Sequence, residues 1–220
     1  MMVGDRTDDS FDRMLYFPTM IFRSRVAEAD LLNDYLLDLI RAERTRDQDG
    51  VERSNYPELG GWHSHSRLHD EDAFDPITDR VEQAGERISE KLGYDARTQL
   101  EITTMWSIIN PPGASNRAHI HPGSDWSGVY YVHAPTDCGD IGFWDPRTAH
   151  VMSNLSFEPG RTRPRENWIK VTFTPEAGMM LLFPSWLYHG VDPNLATETG
   201  QEGERVIISF NLTQRRKPDA

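Results

Sequence analysis

Apolar residues in the first third of the chain recur at the spacing of amphipathic helices. Over residues 27–44 they fall three and four positions apart, which predicts a helix with one apolar face. A second helix is indicated over 75–93, where Asp75 is a candidate cap, Pro76 suits the first turn and Gly93 can end the helix. Residues 51–72 contain few apolar positions and are expected to form a loop.

After Gly93 the hydrophobic pattern changes to alternation, which is typical of β-strands. Because these strands follow one another without intervening helices, they predict an antiparallel double sheet or jelly roll. We expect the helices to pack outside it as buttresses, with the loop as a candidate cover of the barrel mouth. The predicted strands lie near residues 100–109, 127–133, 140–144, 168–174, 179–183 and 205–213.

The length of 220 residues fits one domain. We expect a single unit over residues 1–220, with a strand and helical buttress over about 14–95 and the sheet core over about 96–214. The 23 basic and 35 acidic residues give a net charge of −12, which disfavours nucleic acid and anionic membranes as partners. Since exposed edge strands commonly need covering, a homodimer is compatible with this fold.

Other features of the sequence concern the compartment. No apolar run approaches the ~20 residues that a membrane-spanning helix needs. Residues 1–13 are polar and lack the basic and apolar regions of a secretory signal, so we expect a cytoplasmic protein. The single cysteine, Cys138, excludes an intramolecular disulfide framework and a zinc site built from several thiolates.

The placement of the eight histidines suggests a metal site. His119 and His121 are two residues apart, so in a strand their imidazoles would point to the same side and could share a metal. His189 follows an apolar strand and a proline turn, and a neighbouring strand could bring it beside the pair. A second pair, His63 and His65, has no strand pattern around it, and we do not expect it to form the primary metal site.

Several sequence segments together resemble a little-characterised branch of the 2-oxoglutarate and Fe(II)-dependent oxygenase superfamily. The most specific of them is the histidine pair followed by Ser-Gly-Val-Tyr-Tyr, within the run HIHPGSDWSGVYYV at residues 119–132. The resemblance spans nearly the whole chain and implies a double-stranded β-helix, a jelly roll of cupin type. The other segments are FPT at 17–19, GWHS at 61–64, GFWDPR at 142–147, FPS at 183–185 and RVIISFN at 205–211.

The resemblance also implies a reaction and a set of site residues. His119, His121 and His189 would hold Fe(II), and Arg205 would bind the distal carboxylate of the cosubstrate 2-oxoglutarate. The chain would then use dioxygen to hydroxylate an unidentified small molecule or peptide. Further contacts to the cosubstrate are expected from Tyr131 and Ser209. The hydroxyl of Tyr131 could reach a cosubstrate carboxylate, and strand alternation places Ser209 on the same face as Arg205.

One departure from the family pattern leaves alternatives open. Most members of the superfamily carry aspartate or glutamate where this chain has His121, and three neutral imidazoles would leave the iron more positive. Asp125 is the alternative ligand, although the turn at Pro122 and Gly123 makes its direction unpredictable. Other functions for the same fold are a cupin-type dioxygenase or isomerase that uses metal without 2-oxoglutarate, and a non-catalytic barrel that binds a ligand.

Overall fold

Two antiparallel β-sheets face each other in the computed structural model, which describes residues 14–152 and 155–217, without the side chains of residues 150 and 151. The prediction about a secretory signal concerns residues 1–13 and lies outside the described residues. The larger sheet contains, in spatial order, β1 (Phe22–Arg25), β8 (Met179–Pro184), β5 (Trp126–His133), β10 (Arg205–Arg216), β3 (Thr98–Asn110) and β2 (Trp62–His63). The smaller sheet contains β4 (Asn116–His119), β9 (His189–Val191), β6 (Ile141–Trp144) and β7 (Lys170–Phe173).

Two long helices cover the outer face of the larger sheet. Leu36 and Ile40 of the first helix, with Ile77 and Val81 of the second, join an apolar core whose sheet side includes Phe210. This arrangement confirms the predicted jelly roll with helices as buttresses. The helices are α1 (Ala29–Arg46), α2 (Asp49–Arg53), α3 (Asp75–Leu92) and α4 (Thr148–Val151).

Strand β10 separates the helix-side core from the space between the sheets. Val206 and Ile208 are fully buried in the core beneath the helices. The alternate residues Arg205, Ile207 and Ser209 point to the other side and line a cavity between the two sheets. The predicted alternation of this strand is therefore confirmed, and it brings polar groups into the interior of the jelly roll.

The ends of the helices differ in part from the sequence prediction. Helix α1 begins at Ala29 because Glu28 has a left-handed φ of 53°, which cannot continue a helix. The prediction that Asp75 caps α3 is wrong, since Phe74 occupies the cap position and no side chain caps the helix. Gly93 ends α3 as predicted, at a φ of +67° that favours glycine.

The segment 51–72 is more regular than the predicted loop. It includes the end of α2 and the short strand β2, which pairs with β3 at the edge of the larger sheet. Among the described residues, none of the helices combines the length and apolar content needed to cross a lipid bilayer.

Candidate metal and cosubstrate site

Three histidines converge where the smaller sheet meets the turn after β4. His119 ends β4 and lies directly opposite His189, the first residue of β9. His121 follows two residues later, and its backbone N–H donates to the carbonyl oxygen of Ser185 at 2.9 Å. The possible ligand atoms of the three imidazoles all lie within 4.8 Å of one another. Such a group could hold one metal ion.

Backbone carbonyls fix the orientation of two of these rings. The Nδ1–H of His119 donates to the carbonyl oxygen of Arg117 at 2.7 Å. In the same way, the Nδ1–H of His189 donates to the carbonyl oxygen of Leu187 at 2.8 Å. Each ring therefore turns its Nε2 towards the cluster, where Nε2 of His119 lies 3.1 Å from Nε2 of His121. Metal-binding histidines are commonly held in this way.

Burial keeps two of the imidazoles uncharged. It lowers the pKa of His189 to about 3. Burial, reinforced by repulsion from His119 and opposed by a side-chain hydrogen bond with Asn211, lowers the pKa of His121 to about 4. At neutral pH both rings are therefore in the neutral form that metal coordination requires.

A cavity of about 570 Å³ opens beside the histidine cluster. Its wall contains every residue that the sequence suggested for metal and cosubstrate, except Asp125. No aspartate or glutamate is among the described residues that line it. Two arginines, Arg117 and Arg205, are the charged residues in this lining. The cavity is therefore suited to an anion.

Arg205 is the most unusual side chain of the cavity. Its residue surface is only 1% exposed, and burial lowers the pKa of the guanidinium. Nη1 donates to the carbonyl oxygen of Cys138, whereas the buried Nη2 has no hydrogen-bond partner among the described residues. A buried N–H without an acceptor carries a desolvation penalty. A carboxylate that enters the cavity could accept a hydrogen bond from Nη2 and remove this penalty.

Tyr131 and Ser209 line the same cavity as Arg205. Burial raises the pKa of Tyr131 well above its usual range, and the positive charge of Arg205 partly opposes this shift. Ser209 is half-buried on the cavity face of β10. The structure thus brings together the three residues that the sequence suggested for the cosubstrate.

Asp125 lies apart from the histidine cluster. It is exposed, and its Oδ2 accepts a hydrogen bond from the backbone N–H of Gln214 at 2.7 Å. Of the second histidine pair, His63 lines the cavity without joining the cluster, while Nε2 of His65 lies 2.8 Å from a carboxylate oxygen of Glu71.

Sequence reasoning missed a polar group in the lining of the cavity. Residues from the segment after α2 and from the approach to β4 meet there, and the hydroxyls of Tyr56 and Ser115 are hydrogen-bonded at 2.5 Å. Nothing in the sequence pattern marks these residues, because they come together only through the turns that join the elements. The group consists of Asn55, Tyr56, Ser115, Asn116 and Arg117.

Comparison with known proteins gives a family and a fold. Residues 104–211 match the family model described as "Putative 2OG-Fe(II) oxygenase". No curated protein sequence gives a significant match to the chain.

Three solved structures illustrate the shared fold. A prolyl-4-hydroxylase from Pseudomonas putida has 17% identity and a TM-score of 0.57, with 90% of this chain and 94% of that chain covered. The epimerase SnoN, in complex with Fe³⁺, alpha-ketoglutarate and nogalamycin RO, has 14% identity and a TM-score of 0.60, with coverages of 91% and 82%. HygX from Streptomyces hygroscopicus, with nickel and 2-oxoglutarate bound, has 11% identity and a TM-score of 0.53, with coverages of 89% and 82%.

These matches agree with the site geometry. The family model covers β4 to β9, the second half of β3 and the first half of β10, and this part of the chain carries the histidine cluster and Arg205. At such low identities the structural matches establish the fold, and the family model adds the class of reaction. The matched segment, just under half of the chain, and the shared fold together indicate a 2-oxoglutarate and Fe(II)-dependent oxygenase.

Proposed function

We propose that His119, His121 and His189 hold Fe(II), and that Arg205 binds the distal carboxylate of 2-oxoglutarate with help from Tyr131 and Ser209. The enzyme then oxidises a C–H bond of a small molecule or peptide. One observation carries this proposal: the unpaired Nη2 of Arg205 is buried in the same cavity as the three histidines.

The fit of a dicarboxylate rests on the charges around the cavity. A buried cation without a counter-ion carries a desolvation penalty of several kcal/mol. Arg205 lacks a carboxylate partner among the described residues, and no acidic side chain lines the cavity. A carboxylate placed against Nη2 would satisfy the donor and neutralise the charge together.

The protein residues bind, orient and exclude water, while Fe(II), 2-oxoglutarate and dioxygen supply the oxidation chemistry. Hydrogen bonds from Nδ1 to backbone carbonyls hold His119 and His189 in the orientation that turns Nε2 towards the cluster. Val129, Phe183 and Ile207 form an apolar part of the cavity wall. They limit the access of water to the reacting atoms.

The lack of a carboxylate in the histidine cluster has a consequence for the cosubstrate. Three neutral imidazoles would leave the full double positive charge on Fe(II), which a carboxylate ligand would partly cancel. We therefore expect the centre to favour a dianion such as 2-oxoglutarate.

The proposal is tested by replacing Arg205. Arg205→Ala should keep its metal but bind 2-oxoglutarate at least tenfold more weakly, a loss of about 1.4 kcal/mol or more. Affinity is measured by calorimetry under nitrogen, with Fe(II)-loaded protein. Arg215→Ala is the matched control, because it removes an exposed arginine from the same strand.

Unchanged affinity for 2-oxoglutarate in a folded Arg205→Ala protein would remove Arg205 from the cosubstrate site. A wild-type protein that binds Fe(II) but not 2-oxoglutarate would instead favour a cupin-type metal site. Arg205→Lys separates charge from geometry, since lysine keeps the charge without the planar pair of donors.

A further inference from the structure

Trp106 of β3 stacks against two imidazole rings at the wall of the cavity. Its ring centroid is 5.9 Å from that of His121, with 22° between the planes. The centroid of His63 is 6.0 Å away, with 9° between the planes. These distances and angles describe two offset, nearly parallel ring contacts of the indole. We call the three rings the His63–Trp106–His121 stack.

The stack matters because His121 is held differently from its two partners. The Nδ1 atoms of His119 and His189 each donate to a backbone carbonyl two residues earlier in the chain. No backbone carbonyl is hydrogen-bonded to the ring of His121 among the described residues. Its ring stacks on the indole of Trp106 and on the ring of His189, whose centroid is 5.1 Å away, and it has a side-chain hydrogen bond with Asn211. Its Nε2 lies 3.1 Å from Nε2 of His119 inside the cluster, so among these contacts the indole is the aromatic support that comes from outside the three histidines.

The far side of the stack is fixed to the sheet. His63 Nδ1–H donates to the carbonyl oxygen of Ser64 at 2.6 Å. The hydroxyl oxygen of Ser64 accepts the backbone N–H of Ser107 at 2.9 Å, so the residue after Trp106 is tied to the residue after His63. The ring of His63, which stacks on the indole, is therefore attached to the same edge of the sheet as Trp106.

We infer that Trp106 is a positioning residue for the metal site, and that its stacking contact holds the ring of His121 in the orientation for coordination. The inference rests on the proposed Fe(II) site, in which His121 is a ligand. Residues that orient metal ligands without touching the metal commonly change its affinity by about 10- to 100-fold. Trp106 would orient the ring of His121 by stacking, as backbone carbonyls orient the rings of His119 and His189 by hydrogen bonds.

The first experiment measures Co(II) affinity by calorimetry. Trp106→Ala should weaken Co(II) binding about tenfold or more, whereas Trp106→Phe, which keeps an aromatic face, should remain near the wild-type affinity. In a His121→Ala background, Trp106→Ala should cause little further loss, because the residue acts through His121. Trp126→Phe is the matched control, since that indole lies in the helix-side core and donates to the hydroxyl of Tyr94 at 3.2 Å.

A second experiment does not depend on a destabilising substitution. Co(II) at the cluster should quench the fluorescence of Trp106, one of six tryptophans. This metal-dependent quenching should be largely lost in Trp106→Phe and kept in Trp126→Phe. It remains informative even if Trp106→Ala fails to fold.

The outcomes distinguish the inference from the function on which it rests. No Co(II) binding by the wild-type protein would overturn the proposed metal site. Tight binding that Trp106→Ala leaves unchanged would overturn only the positioning role. An equal loss from Trp106→Ala with and without His121 would assign Trp106 a general structural role instead. Quenching that persists unchanged in Trp106→Phe would show that Co(II) binds away from the indole and would overturn the contact on which the positioning role rests.

Discussion

His121 and Asp125 are close in sequence, yet the turn between them places them in different environments. Gly123 has a φ of +89°, and the chain reverses direction around it. His121 faces the cavity, while Asp125 accepts a hydrogen bond from the end of β10. The carboxylate of Asp125, the alternative metal ligand, is therefore hydrogen-bonded to β10 next to the start of β5.

The roles of these two residues can be compared directly. His121→Ala should lose far more metal than Asp125→Asn, since only the first change removes an atom of the cluster. Metal content after dialysis against metal-free buffer is the measurement. If Asp125→Asn lost more metal than His121→Ala, Asp125 would be the third metal ligand. His121 would then act only by orienting the ligands around it.

Much of the candidate site could be predicted at the level of residue types, but not its geometry. Alternation along β10 correctly placed Arg205 and Ser209 on one face. The pairing of His119 with His121 was expected from a shared strand, whereas β4 ends at His119. The rings converge because the N–H of His121 is bonded to Ser185. Such a contact between distant segments leaves no periodic signal.

Among the elements, a recognisable hydrophobic period decided what could be predicted. All six strands expected from alternation are present, with small shifts at their ends. The short strands at Trp62–His63 and His189–Val191 span too few residues for a period to be recognised. Their pairing comes from neighbouring strands rather than from their own composition.

Helix α1 is fastened to the larger sheet by one buried hydrogen bond. The hydroxyl of Tyr130 in β5 donates to Oδ1 of Asn33 at 2.6 Å. Tyr130→Phe leaves that acceptor unsatisfied in the core and should cost about 1–3 kcal/mol of unfolding free energy. Urea unfolding at neutral pH measures the loss. Tyr35→Phe, at a half-exposed position of the same helix, should cost much less.

The same tyrosine predicts a dependence on pH. Burial raises the pKa of Tyr130 to about 12, above the value near 10 of an unfolded tyrosine. The folded protein therefore keeps a proton that the unfolded chain loses, and this contribution declines as pH rises from about 10 to about 12. The stability difference between wild type and Tyr130→Phe should narrow over that interval. A difference that stays constant would contradict the assignment.

For the molecule as a whole, charge is divided unevenly between surface and interior. The chain carries a net charge of −12, but the described lining of its central cavity contains arginines and no acidic residue. Long-range repulsion of anions by the acidic surface is thus opposed by local attraction inside. We expect the affinity for 2-oxoglutarate to depend on this local attraction.

Ligand binding should raise the stability of the whole fold. Each ligand present at 100 times its dissociation constant adds about 2.7 kcal/mol, or roughly 5–10 °C in Tm for a chain of this size. We expect one increment from Fe(II) and a second from 2-oxoglutarate, measured by anaerobic thermal unfolding. A chelator should abolish the increase in Tm that Fe(II) causes. Arg205→Ala should keep that increase and lose the one caused by 2-oxoglutarate. A Tm that is insensitive to metal would argue against a built metal site.

The position of β10 also has a consequence for how the chain folds during synthesis. This strand lies between β3 and β5, both of which leave the ribosome long before it. The middle of the larger sheet therefore stays open, with two apolar edges unpaired, until residues 205–216 emerge. Because Arg205 belongs to that same strand, the cavity is complete only when β10 has joined the sheet. We expect the nascent chain to be prone to aggregation until then.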